Sequence, residues 1–269
     1  MKRFLLLTIT CLLITVNEGW AQFSRGTTGL LQMPTADMQR DKTVMLGGGY
    51  LAKEATPSSW YYDTWNYYLN VTIFPWVEMA YTCTLFKAEH LGLGPYGYDG
   101  FTNQDRNFSV RLRAWKEGWW KWWTPQIVLG VNDFTSGSGG DYTNLGVEGT
   151  GNGYFNRYYI AVTKHLDLNR WNMPGTIGIH AAYMHNNRTN DKLNDPAVGL
   201  DYTLPLHQIK GMPQWMHLLS EVRLMAEYYP DAINIGANIA IWKDHINLTG
   251  ELYQCKHPSI GLYFKIHLK

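Results

Sequence analysis

Cysteine, charge and long apolar runs are all scarce in this 269-residue chain, and each scarcity removes a class of protein. There are three cysteines, Cys11, Cys83 and Cys255, with no CxxC spacing and no Cys/His cluster, so the usual metal signatures are missing. Nine histidines are scattered without HxH or HxxE spacing, and no Ser/His/Asp arrangement stands out, so neither an enzyme nor a metal or other cofactor is expected. Charged residues make up only 17% of the chain, and their signs balance. Taking Lys2, Arg3 and Glu18 from 23 basic and 22 acidic side chains leaves 21 of each, which argues against nucleic acid as a partner. The mean hydropathy of -0.27 is too polar for a bundle of membrane-spanning helices. One long apolar run exists, residues 4 to 16, and it is shorter than the roughly 20 residues a helix needs to cross a bilayer.

That run follows Lys2 and Arg3 and ends near Gly19-Trp20-Ala21. Basic start, apolar middle and small residues two apart make residues 1 to 21 a secretory signal peptide, cleaved after Ala21. Cys11 lies inside it without the small preceding residue that a lipoprotein cleavage site needs. Cys83 and Cys255 can pair in an oxidising compartment, but nothing in the sequence marks them as neighbours. Residues 22 to 42 show no strand periodicity; their glycines, threonines and Pro34 indicate an irregular segment, a candidate plug.

What the chain does have is alternation. From Asp105 to Asp133, Phe108, Val110, Leu112 and Ala114 fall on one face of a strand and Asn107, Ser109, Arg111 and Arg113 on the other. A second arm, Gln126 to Asn132, repeats the pattern with Ile127, Leu129 and Val131. The connection between the arms holds Trp119, Trp120, Trp122 and Trp123. Indole prefers a membrane interface, ring among acyl chains and N–H in headgroup water, so this is a candidate transmembrane hairpin with a girdle of tryptophans.

The same period recurs at 43–51, 67–74, 77–86, 155–166, 175–184, 197–204, 216–227, 233–241, 246–252 and 259–268. About twelve strands over residues 43 to 269, an even number, predict an antiparallel transmembrane β-barrel in the outer membrane of a Gram-negative bacterium. Connections after the first, third, fifth and seventh strands are long and the alternate ones mostly short, the asymmetry such barrels show. Aromatics gather near strand ends, among them Trp60, Tyr62, Trp76, Trp171, Trp215, Tyr229 and Trp242, as two girdles require. A soluble periplasmic β-sandwich that binds sugar is the alternative fold.

Three stretches carry a resemblance: Gly29-Leu30-Leu31-Gln32-Met33-Pro34-Thr35-Ala36; the turn Pro75-Trp76-Val77-Glu78; and the pair from Asp105 to Arg113 and from Leu129 to Asp133-Phe134. They resemble the opening motif, a turn and a charged strand pair of the YjbH/GfcD family of outer-membrane proteins, over roughly residues 26 to 165. The resemblance implies a role in exopolysaccharide or capsule export or assembly. Outer-membrane lipid, an anionic polysaccharide and other proteins of that pathway would then be the partners. Members are often larger than this chain.

Arg111 and Arg113, with Arg106 above, are expected to line the lumen, where guanidinium groups can grip anionic sugars or phosphates. The plainer reading is that they pair with Glu78, Glu221 or Glu227 and merely satisfy a polar interior. Glu221, Arg223 and Glu227 share one strand face; Glu221 and Glu227 would lie about 20 Å apart by the strand rise, too far for a glycosidase pair. Asp133 fits a turn former at the mouth of a long loop. Rival functions are a small general porin and a non-conducting structural surface barrel.

Overall fold

The computed structural model describes residues 21–22, 24–56, 60–87, 101–134, 155–186, 194–206, 213, 218–229 and 231–268. All but Ala21 of the expected signal peptide, and Trp215, lie outside the described residues. Two short strands, β1 (Ala21–Gln22) and β2 (Thr27–Thr28), pair antiparallel. Twelve longer strands follow: β3 (Thr43–Leu51), β4 (Thr64–Phe74), β5 (Val77–Lys87), β6 (Phe101–Trp115), β7 (Gln126–Asn132) and β8 (Arg157–Asp167). The second half supplies β9 (Thr176–His185), β10 (Pro196–Pro205), β11 (Leu219–Tyr228), β12 (Ile233–Ile241), β13 (Ile246–Tyr253) and β14 (His257–His267).

Each of the twelve pairs antiparallel with the next, and β14 pairs back onto β3, from Ile260 opposite Tyr50 to His267 opposite Thr43. The sheet is one closed barrel with no free edge, which rules out the sandwich alternative. Period two explains the wall. In β4, Tyr67, Leu69 and Ile73 are exposed on the outside, whereas Tyr68, Asn70 and Thr72 are buried within. In β14, Ile260, Leu262, Phe264 and Ile266 face outward and Ser259, Tyr263 and Lys265 inward. Outward positions are apolar and inward ones mostly polar, the inverse of a soluble barrel.

The end carrying Thr43, the Pro75-Trp76 turn and residues 116–125 is here the near end, and the opposite mouth the far end. Phe74 faces Val77 across the two-residue turn, whose proline lacks the N–H a ladder needs. Among the described residues no helix is long and apolar enough to cross a membrane. Cys83 is buried and Cys255 exposed, and both are free.

Three rim aromatics depart from the expected girdle. Trp60 and Tyr62 are buried and stack with centroids 5.7 Å apart, and Tyr229 is buried in the lumen. Tyr229 continues the inward parity of Arg223, Met225 and Glu227, so alternation itself carries its ring inside.

Residues 24–39 do not join the wall. They are buried throughout, and they touch strands on opposite sides of the ring. Asn70 Nδ2 of β4 donates to Gly26 O at 2.8 Å, while a Cβ on Gly199 of β10 would meet Leu30 and stand 2.8 Å from Met33 Sδ. A segment in contact with both β4 and β10, six places apart in a closed ring, lies across the lumen. Its Leu30, Leu31, Met33, Ala36 and Met38 form one buried cluster with Val128, Tyr159, Ala161, Ala182, Met184, Ala197, Met225 and Tyr229 of the wall. The wall is small there, so the segment's large side chains insert without displacing it.

Gly26 has φ 66, and an added Cβ would stand 2.6 Å from Tyr68 Cβ. Gly26→Ala is therefore expected to destabilise the barrel by about 1–3 kcal/mol, read as a lower midpoint of urea unfolding. An unchanged midpoint would mean that the segment is not held against β4.

Candidate functional site

The inward charges of the wall meet the backbone of the segment. Arg111 on β6 stands opposite Glu78 on β5, because both occupy inward positions in register. Arg111 Nη1 lies 3.2 Å from Glu78 Oε2, with both side chains fully buried. Arg111 Nη2 donates to the carbonyl oxygens of Thr35 and, at 2.9 Å, Asp37. Glu78 in turn accepts from Thr28 N at 2.7 Å, Thr28 Oγ1 at 2.6 Å and Asn70 Nδ2 at 2.8 Å. The guanidinium that sequence offers to an anionic sugar is thus engaged by the protein's own carboxylate and carbonyls.

On the far side of the lumen Glu227 does for amides what Arg111 does for carbonyls. Its carboxylate accepts the consecutive N–H groups of Leu31 (3.1 Å), Gln32 (2.8 Å) and Met33 (3.1 Å), together with Asn234 Nδ2 at 3.0 Å. Successive N–H groups converging on one anion form a nest, and the anion here is a wall side chain. The bridge between Gly29 and Pro34 folds the segment so that those amides point the same way. Gln32 Nε2 also donates to Glu251 Oε2 at 2.9 Å.

A third clasp is Arg157 of β8. Its Nη1 donates to Gln32 O at 2.9 Å, its Nη2 to Gln22 Oε1 at 2.9 Å and its Nε to Asn132 Oδ1 at 2.7 Å. Toward the near end, Asp37 of the segment lies 3.4 Å from Arg223 Nη2 and 3.3 Å from His165 Nε2. Arg223 is also 2.8 Å from Asp201 Oδ1.

Asp201, His180 and Thr163 form a carboxylate–imidazole–hydroxyl chain, 2.6 Å and 2.9 Å long in its two links. Its hydroxyl accepts Ala36 N–H at 2.8 Å. An amide N–H lies in its peptide plane, so this oxygen approaches within that plane, not over the carbonyl face that nucleophilic attack requires. The chain anchors the segment. Gln126 Nε2 completes the anchor by donating to Ala36 O.

At the near rim of the lumen, Glu117 in the β6–β7 turn accepts Lys164 Nζ at 2.6 Å and His165 N at 3.0 Å, and its second oxygen lies 2.7 Å from His165 Nδ1. Burial pushes this carboxyl up, but the bonds from His165 and Lys164 outweigh it and hold it below the ordinary value.

The structure therefore brings together Glu78, Arg111, Arg223 and Glu227 in one filled lumen. It does not place Arg106 there: Arg106 shares its parity with Phe108, points outward and is exposed. Arg113 and Glu221 keep the inward parity, opposite the buried Val128 and Ala240, and are half-buried beside the bulges at Arg113/Trp115 and Leu219/Glu221. Of the motif residues, Gly29, Pro34, Thr35 and Ala36 belong to the segment, Asp105 and Asp133 are buried at the far half, and Phe134 is exposed. Asp133 has φ 53, the left-handed turn geometry, and its carbonyl accepts Asn156 Nδ2 at 2.9 Å. Trp119, Trp120, Trp122 and Trp123 are exposed at the near end. Arg157, Thr163, His180, Asp201 and Glu251 were missed, though each occupies an inward position that alternation marks; the small inward residues Ala161, Ala182, Ala197, Gly199 and Gly236 were a further signal.

The YjbH family model, described as exopolysaccharide biosynthesis protein YbjH, matches residues 21–203. Over 116 residues the chain is 30% identical to a protein of Escherichia coli (strain K12) described as uncharacterized lipoprotein YjbH. That alignment covers 43% of this chain and 15% of the relative, so the chain spans only a small part of the length of the curated protein it matches.

Removing one partner of a fully buried ion pair strands the other. Arg111→Met is expected to cost about 3–5 kcal/mol in unfolding free energy, and Arg111→Met with Glu78→Met to cost less than the sum of the two single losses, although the groups of the segment that each side chain bonds stay unpaired. A double variant as unstable as the sum of the singles would mean that the two groups act independently. Glu227→Ala is expected to speed hydrogen exchange at Leu31, Gln32 and Met33 by about tenfold or more, since three amides lose their acceptor. Unaltered exchange at those three positions would show that Glu227 does not hold the segment.

Proposed function

Because the chain belongs to the YjbH family of exopolysaccharide biosynthesis proteins, we propose that it is an outer-membrane barrel serving export or assembly of a surface exopolysaccharide. It acts without catalysis, as an anchoring element, and the glycan does not travel through its own lumen. The observation that carries this reading is the segment of residues 24–39, which crosses the lumen and engages the very charges a passing anionic sugar would need. Passage and anchoring are both compatible with a polar interior; an interior already filled favours anchoring. A general porin needs open aqueous space there, so the same segment counts against it.

Support for the membrane comes from the wall. Residues such as Leu69, Leu129, Ile160, Leu200, Leu224 and Leu262 stand exposed on its outside, a band that water would disfavour and acyl chains would cover. Single tryptophans, Trp76, Trp171 and Trp242, mark three near-end turns as an interfacial belt would. The description of the Escherichia coli relative as a lipoprotein supports an envelope location, as does the expected signal peptide. On this reading the partners are outer-membrane lipid, an anionic polysaccharide and other proteins of its pathway.

Fractionation tests the location. The chain is expected in the outer-membrane fraction, with migration on a gel that changes on boiling; recovery in the periplasmic supernatant without a heat shift would sink the proposal. Liposome swelling tests the plug. The full chain should admit neutral sugars no faster than empty vesicles, and a variant lacking residues 24–39 should admit them readily. Fast swelling by the intact chain would reinstate the porin. A deletion strain should lose surface glycan, and unchanged glycan would remove the exopolysaccharide role.

A further inference from the structure

The near-end turns are unequal. Trp76 alone serves the β4–β5 turn, Trp171 the β8–β9 turn and Trp242 the β12–β13 turn, but the β6–β7 turn presents Trp119, Trp120, Trp122 and Trp123, each at least half exposed. The β6–β7 turn thus shows three more indoles than each of these other turns.

The turn is rigid. Gly118 N bonds Thr124 O at 3.1 Å, Trp119 N bonds Lys116 O at 3.2 Å and Thr124 N bonds Lys121 O at 2.9 Å. Lys164 Nζ of β8 reaches Trp122 O at 2.7 Å and pins the loop to the neighbouring strand. The charges are sorted too. Glu117 is the turn's one acid, and its two oxygens are taken by Lys164 and His165. Lys116 and Lys121 are exposed, so the charge this turn shows to its surroundings is positive.

The ring geometry favours lipid over glycan. Trp115 meets Trp119 edge to face, with centroids 5.5 Å apart and planes at 86°, and Trp120 meets Trp123 at 5.9 Å and 66°. Lys121 Nζ sits 4.6 Å from the centroid of Trp120 and covers its face. Sugar stacking calls for open, parallel ring faces; the crossed Trp115/Trp119 and Trp120/Trp123 pairs, one face capped by an ammonium, do not offer them, and Trp122 alone stands outside both pairs. Indole edges with lysines alongside suit a headgroup layer, where rings lie among glycerol and acyl carbons and ammonium groups meet phosphate.

We propose that the β6–β7 turn is a foot for anionic phospholipid: the four indoles sit at the headgroup boundary, and Lys116 and Lys121 bind phosphodiesters of the phosphatidylglycerol type. The proposal rests on the membrane reading above. It adds a preference for lipid charge, and it fixes one sector of the barrel rim more firmly than the rest.

The test uses the full chain in nanodiscs of equal phosphatidylcholine and phosphatidylglycerol, with lipids retained on release counted by native mass spectrometry. The intact chain should keep phosphatidylglycerol over phosphatidylcholine, and the preference should fall by about fivefold for each lysine removed in K116Q and K116Q/K121Q. Heat-modifiable migration shared by all three proteins would show that the barrel itself is undisturbed. Equal retention of both lipids by an inserted, heat-modifiable chain, or a preference that survives the double variant, overturns this proposal alone. Failure to insert overturns the membrane reading and this proposal with it. Quenching of tryptophan fluorescence by soluble alginate that disappears in K116Q/K121Q would make the turn a glycan surface and likewise overturn the lipid assignment.

Discussion

The governing constraint is that a closed wall with an inward polar face must find partners for the charges it encloses. Arg111, Arg157 and Arg223 are among the largest fully buried side chains, and an unpaired guanidinium at such depth would cost several kcal/mol after relaxation. Wall carboxylates answer part of the demand, through Glu78 and Asp201. Much of the remainder falls to main chain: carbonyls of Gln32, Thr35 and Asp37 for Arg157 and Arg111, and amides of Leu31 to Met33 for Glu227. An irregular segment is suited to this task because its backbone groups are not consumed by a ladder of its own.

The same segment satisfies a second requirement, volume. Twelve strands enclose more space than their inward side chains fill, and at Ala161, Ala182, Ala197, Gly199 and Gly236 the wall is especially thin. Leu30, Leu31 and Met33 occupy that space, and Gly236 would place a Cβ 2.6 Å from Leu31 Cδ2. Polar clasps and apolar inserts alternate along a few residues, so register is fixed from both sides: moving the segment by one residue would put leucine against glutamate.

Much of the wall was legible in the sequence, because period two is a local property. β3, β7 and β12 fall where alternation places them, to the residue, and the other barrel strands differ by a few residues at their ends. Arg106 was misplaced by proximity to Arg111 and Arg113 when its parity, shared with Phe108, already pointed it outward. The pairing of Arg111 with Glu78 was legible only as one of several options, since register between strands depends on turn length and bulges. The clasps on the segment were not legible at all. They join residues 196 and 219 positions apart, as in Leu31 with Glu227 and Gln32 with Glu251, and no local pattern encodes such a distance.

The seam between β14 and β3 gives the segment's position a kinetic meaning. Residues 24–39 immediately precede β3, the first barrel strand, yet Glu227 and Glu251 that clasp them belong to β11 and β13. The earliest part of the barrel chain therefore waits for nearly the last before its buried groups are matched, a topology of high contact order and slow assembly. Joining β14 to β3 then encloses a segment already tethered at β3, so closing the wall and sealing the interior are one event.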